Sequence, residues 1–136
     1  MKTSYNLQLK LQIYRTPTVS PKFIININDA LLYDSKLTDS SDIIIVETNT
    51  KLGINKLSVI LYDKNDNDMV IENGKIKHNI AVQILEISLD GVNLSDYGLL
   101  TNFGSFGFIG NNSEYQLEFL SPGFLFVRNA NLLKLN

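Results

Sequence analysis

Carboxylates and amides crowd residues 62–79, which read YDKNDNDMVIENGKIKHN, and oxygen-rich segments of this kind are candidates for metal binding. Asp63, Asp66 and Asp68 alternate with asparagines. Calcium takes about six to eight oxygen ligands, and an EF-hand loop supplies them with glycine at its sixth position and glutamate at its twelfth. Counted from Asp63, those positions hold Asp68 and Gly74, so the segment is not an EF-hand.

Two interpretations of this acidic segment stay open. In the first, Asp63, Asn65, Asp66 and Asp68 form a looser calcium site outside any EF-hand. In the second, the segment is a polar connection between strands, because Asp and Asn hydrogen-bond to their own backbone and tolerate left-handed conformations. Under either interpretation, the Asn-Gly pair at 73–74 predicts a tight hairpin turn directly afterwards.

Groups suited to catalysis are scarce in the chain. His78 is the single histidine, and its lysine and asparagine neighbours indicate a surface position. Cysteine is absent, which excludes disulfides, thiol nucleophiles and cysteine-bound zinc. Alternation places Glu86 and Glu118 outward, away from the apolar setting that acid–base catalysis uses. The sequence therefore predicts a protein that is not an enzyme.

Glycine and aromatic residues mix without a strand or helix period from 95 to 113, which predicts a long loop. Aromatic rings on a loop favour contact with a partner, while packing over one end of the fold is the other interpretation. Tryptophan is absent, so tyrosines are the rings that would stack on a sugar. The candidate residues for partner or glycan contact are Tyr62, Tyr97, Phe103, Phe106, Phe108 and Tyr115.

Strand signals dominate the rest of the chain. Apolar residues alternate with polar ones in 6–14, 22–28 and 57–62, as in strands with one buried face. The apolar phase changes partway along 79–89, which predicts a β-bulge or a fully buried stretch. A glycine in 51–55 predicts a hairpin connection between two strands.

Composition sets the class of the protein. The 136 residues are 44% hydrophobic and 19% charged, which predicts a single globular domain over 1–136. About eight or nine strand signals without an amphipathic helix predict an all-β, antiparallel β-sandwich of jelly-roll type with little or no helix. The net charge of −2, with mixed signs, argues against a nucleic-acid partner. Apolar runs long enough for a membrane span or a secretion signal are absent, so we expect neither.

Two parts of the chain resemble known proteins. Residues 57–94, with YDKND, NGKIKHN and IAVQILEISLDGVNL, resemble calcium-dependent carbohydrate-binding modules of jelly-roll type. Residues 114–129, EYQLEFLSPGFLFVRN, are similar to the closing strands of small β-sandwich proteins in tailed-bacteriophage virions. The first resemblance implies calcium near Asp63, Asn65 and Asp66, with His78 standing where those modules have an aspartate.

The expected function is that of a non-enzymatic structural protein of a tailed-phage virion, in the tail, the baseplate or the capsid surface. Its partners would be other virion proteins and further copies of itself, and its location the virion. The alternative is a carbohydrate-binding module or lectin-like domain that recognises a cell-surface glycan. We expect no cofactor, with calcium as the one candidate ion.

Overall fold

The computed structural model describes residues 4–37, 41–65, 69–93, 108–121 and 127–134. These residues form twelve strands, a 3-10 helix at Ser35–Leu37 and no α-helix, which confirms the predicted all-β class. The strands are β1 Ser4–Tyr14, β2 Lys22–Ile27, β3 Ala30–Asp34, β4 Ile43–Lys51, β5 Gly53–Tyr62, β6 Val70–Glu72, β7 Lys75–His78, β8 Ala81–Leu89, β9 Val92–Asn93, β10 Phe108–Ile109, β11 Ser113–Ser121 and β12 Val127–Lys134. The count exceeds the eight or nine predicted because strands as short as β9 and β10 show no period.

Two antiparallel sheets enclose one apolar core, as the sequence predicted. The first sheet has the order β10-β8-β1-β4, with β9 also paired to β8, and the second has the order β12-β11-β5-β2-β3. Leu9 and Ile84 from the first sheet and Leu57 and Phe119 from the second are fully buried in the same cluster. The described residues therefore form an antiparallel β-sandwich, from which the β6–β7 hairpin stands apart as a separate two-stranded sheet.

The predicted irregularity in 79–89 is a β-bulge. Lys10 on β1 faces Glu86 on β8, and the next residue, Leu11, faces Ile84, so Leu85 is the extra residue. A bulge restores the inward phase of the strand after one inserted residue. Ile84 and the later Ile87, which lies beyond the bulge, are consequently both fully buried.

The connection between β4 and β5 corrects the hairpin predicted at 51–55. β4 pairs with β1 in the first sheet, whereas β5 pairs with β2 and β11 in the second. The chain thus crosses from one sheet to the other here, and Gly53 provides the required positive φ of 99°. A glycine marks a sharp change of direction in both cases, and only the pairing partners distinguish a crossing from a hairpin.

The other turns agree with the sequence. Asn73 and Gly74 have φ angles of 53° and 76°, and they join β6 to β7 as the predicted tight hairpin. Asn28 and Asp29 also have positive φ and turn the chain from β2 directly into β3.

Candidate functional site

The acidic segment leaves the sandwich at the end of β5, and its first residue faces solvent. Asp63 is exposed, has a φ of 57°, and lies with its Oδ2 3.9 Å from Lys22 Nζ. Both side chains of this pair are more than half exposed, so the pair contributes about 0–1 kcal/mol to stability. Asn65 is exposed as well, and Asp66 and Asp68 lie outside the described residues.

Lys64, which lies between these candidate ligands, connects the end of β5 to the rest of the fold through hydrogen bonds. Its backbone N–H donates to Asn112 Oδ1 at 2.8 Å, and its carbonyl accepts from Asn112 Nδ2 at 2.9 Å. The amide of Asn112 therefore replaces a strand neighbour and satisfies both backbone groups of Lys64.

The Lys64 ammonium group points at backbone oxygens. Its Nζ donates to the Ile80 carbonyl at 3.3 Å and to the Gly110 carbonyl. Asn79 orients the same region, since its Oδ1 accepts the Ile80 N–H at 2.9 Å. The lysine thus joins three segments: the end of β5, the start of β8, and the turn before β11.

The ammonium group of Lys64 thus lies at the backbone carbonyl oxygens of Ile80 and Gly110. Carbonyl oxygens bind an ammonium group for the same electrostatic reason that they bind calcium. Within the described residues, no group of three or more His, Asp or Glu side chains is placed to share a metal ion. Asp66 and Asp68 lie outside the described residues, so the calcium site stays a prediction.

The candidate contact residues are not brought together. Tyr62 is half-buried, and Lys36 Nζ lies 5.7 Å from the centre of its ring, a cation–π distance. Tyr115 is 3% exposed and belongs to the core cluster, which corrects its predicted role as a surface contact, because its strand alternation points it inward. The backbone of Phe108 lies in β10 opposite Gln83. Tyr97, Phe103 and Phe106, and the side chains of Phe108 and His78, lie outside the described residues.

Sequence reasoning missed an apolar surface on the outer side of β4, which we call the β4 edge and define as residues 43–51. Ile43 and Ile45 are 47% and 55% exposed, whereas Ile44 and Val46 pack against the core. Four consecutive β-branched residues resemble a strand buried on both faces, so the run hid the exposed face. Exposure of this face depends on where β4 lies in the fold, and the sequence alone does not reveal that position.

A second exposed apolar surface lies on the β6–β7 hairpin. Ile71 and Ile76 face each other across the two strands and are 59% and 61% exposed. Lys77 Nζ lies 3.1 Å from Glu72 Oε1 on the same hairpin. A two-stranded hairpin is marginally stable on its own, so burial of the Ile71–Ile76 pair against a partner would stabilise it.

The fold and these surfaces define the protein as an all-β sandwich with exposed strand surfaces. No protein-family model, no curated protein and no solved structure matches the chain. The described part of the chain contains no helix that is both long and apolar enough to cross a membrane.

We expect calcium to leave the melting temperature of the protein unchanged. Lys64 already supplies a positive charge to the carbonyls of Ile80 and Gly110, and a divalent ion placed there would be repelled by it. The measurement is a thermal melt with calcium and with a chelator. A melting temperature that rises with calcium in the wild type, and does not rise in the double variant Asp66→Asn, Asp68→Asn, would instead establish a calcium site in the acidic segment.

Proposed function

We propose that the chain is a non-enzymatic structural protein of a tailed-phage virion, which acts through protein–protein contacts in the tail, the baseplate or the capsid surface. The observation that carries this proposal is the β4 edge, where Ile43 and Ile45 expose apolar surface along a strand with a neighbour, among the described strands, on one side only. Unpaired strand edges and contiguous apolar patches are surfaces that proteins bury against partners.

The energetics favour an assembly of many copies. Full burial of one exposed isoleucine is worth about 1.5–3 kcal/mol, so each small contact is weak by itself. In a virion, copies held at fixed spacing add their contacts, and weak surfaces give a stable array through avidity. The β4 edge and the hairpin surface of Ile71 and Ile76 supply two such contacts on one small domain.

The virion context comes from the resemblance of residues 114–129 to closing strands of phage β-sandwich proteins. The test is mass spectrometry of purified particles from cells that produce the phage encoding this chain. We expect the chain in the particles at a multicopy ratio to the known structural proteins. Its absence from particles, with the protein present in the cell lysate, would overturn the proposal.

Glycan binding is the second candidate, and the position of Tyr62 favours it. Tyr62 is half-buried and the next residue in the chain, Asp63, is exposed, so an aromatic ring and a hydrogen-bond acceptor, two groups that sugar sites use, follow each other at the end of β5. A glycan array with calcium and with a chelator tests this function, with Tyr62→Ala as the site variant. The absence of binding under both conditions would exclude glycan recognition.

A further inference from the structure

Of the strand edges that bound the two main sheets in the described structure, β4 is the one that is both long and regular in its ladder. β9 and β10 have two residues each, and β3 has five residues and a shift in its ladder with β2. The ladder of β12 with β11 also contains a shift. Short strands and bulges are the means by which proteins protect edges from pairing. β4 has nine residues, a continuous ladder with β1, and no charge from Ile43 to Val46.

The backbone of β4 presents hydrogen-bonding groups to its outer side. The Ile13 N–H donates to the Asp42 carbonyl at 2.7 Å, and this pair continues the register in which Gln12 faces Ile43. In an antiparallel pair, residues that bond to the neighbour alternate with residues whose N–H and C=O point away from it. Even-numbered residues therefore bond to β1, and odd-numbered residues from 43 to 51 direct their backbone groups outward.

The side chains follow the same alternation. Ile43, Ile45, Glu47 and Asn49 are exposed on the outer face, and the even-numbered residues between them are half-buried. The outward backbone groups and the exposed isoleucines thus belong to the same residues. A strand added at this edge would satisfy the backbone groups and bury apolar side chains together.

We propose that the occupant of the β4 edge is β4 of a second copy of this chain, paired antiparallel about a twofold axis at Val46. This inference rests on the proposed function and names the partner of that surface. Ile45 would face Glu47 of the second copy, and Ile43 would face Asn49 of the second copy. Because each copy uses the one edge among the described strands that is long and has a continuous ladder, the pairing closes at a dimer.

Charge complementarity selects this register. With the axis at Val46, Glu47 of the second copy enters the row in which Lys10 faces Ile45, so the two charged residues have Cα atoms about 10 Å apart and long side chains that reach across. An axis at Glu47, one residue further, would place two glutamates directly opposite each other, which is destabilising. An axis at Ile45 would pair only residues 43–47 of the two strands and leave 48–51 of each without a partner in β4. The register at Val46 pairs residues 43–49 and places no like charges opposite each other.

The absence of cysteine from the chain makes a crosslinking test direct. At the axis, Val46 of the two copies forms a non-hydrogen-bonded pair with Cα atoms about 4.5 Å apart, within the range of a disulfide. We expect Val46→Cys to form a covalent dimer on mild oxidation. The matched control is Ile44→Cys, on the same face and also half-buried, whose counterpart would lie about 14 Å away and stay monomeric.

A second measurement does not depend on cysteine. We expect the wild-type chain to sediment as a concentration-dependent dimer, and Ile45→Lys to raise the dimer dissociation constant about tenfold or more. Ile54→Lys is the control, since Ile54 is 59% exposed but lies on β5, an inner strand of the second sheet, and it should keep the wild-type dissociation constant. A wild-type chain that is monomeric at every concentration, or an Ile45→Lys variant that dimerises like the wild type, would overturn the pairing.

These results separate the pairing from the proposed function. A dimer that crosslinks at Val46 while the chain is absent from virions would preserve the pairing and overturn the virion function. A monomer in solution that is present in purified virions would overturn the pairing and leave the virion function standing.

Discussion

Replacing Asn55 with leucine is expected to lower the free energy of unfolding by about 3 kcal/mol, because the change leaves several buried polar groups without partners. Asn55 is fully buried. Its Oδ1 accepts from Asn28 Nδ2 at 2.8 Å and from the Lys51 N–H at 3.1 Å. Its Nδ2 donates to the carbonyls of Lys51 at 2.9 Å and Gly53 at 3.1 Å.

The effect is large because this amide holds the crossing between the two sheets. Lys51 ends β4 in the first sheet and Gly53 begins β5 in the second, so Asn55 fixes the point where the chain changes sheet. Asn28 extends the network, since its Oδ1 accepts the Lys56 N–H at 2.9 Å and its own N–H donates to the Lys56 carbonyl at 2.8 Å. Leucine is similar in volume but provides none of these hydrogen bonds.

Equilibrium unfolding in urea measures the change. The control is Asn111→Leu, at an exposed position, which should change the free energy of unfolding by less than about 0.5 kcal/mol. An Asn55→Leu variant that unfolds at the same urea concentration as the control would show that the crossing does not depend on this amide.

Local sequence signals predicted those parts of the fold that depend on neighbouring residues. Alternation in 6–14 gave β1, and the phase change in 79–89 gave the bulge at Leu85, because both follow from the period of a strand. The Asn73–Gly74 turn follows from the conformations that these two residue types tolerate. Each signal lies within a few residues of the structure it predicts.

Contacts between distant residues could not be predicted in this way. The sequence 51–55 was interpreted as a hairpin because glycine indicates a turn, and the partners of β4 and β5 depend on strands elsewhere in the chain. Asn55 belonged to that supposed turn, and nothing in the local sequence indicated that it is fully buried. The hydrogen bonds between the Asn112 side chain and the Lys64 backbone join residues 48 positions apart. Neither residue belongs to a sequence motif that would predict this contact.

The acidic segment shows the same limit at the candidate site. Its aspartates drew attention to oxygen ligands, while the residue with the most connections to the fold is the lysine between them. A positive side chain inside an acidic segment is ordinarily a solvated surface residue. The carbonyls of Ile80 and Gly110 that receive its ammonium group become visible only when β8 and β10 are in place.

Replacing Lys64 with methionine is therefore the second change expected to have a large effect, a loss of about 2 kcal/mol in the free energy of unfolding. Methionine keeps the unbranched stem but removes the ammonium group, so the partly buried carbonyls of Ile80 and Gly110 lose a charged donor. The clamp by Asn112 involves only the backbone of Lys64 and should persist in the variant.

The matched control for this lysine is Lys22→Met at the same corner. Lys22 Nζ lies 3.9 Å from Asp63 Oδ2, with both side chains more than half exposed, so its loss should change the free energy of unfolding by less than about 0.5 kcal/mol. Urea unfolding of the two variants side by side measures the difference. Equal stability of both variants would mean that the Lys64 ammonium group contributes no more than an exposed ion pair. A larger loss in Lys64→Met would establish the lysine as the cation that holds the end of β5 to the start of β8 and the turn before β11.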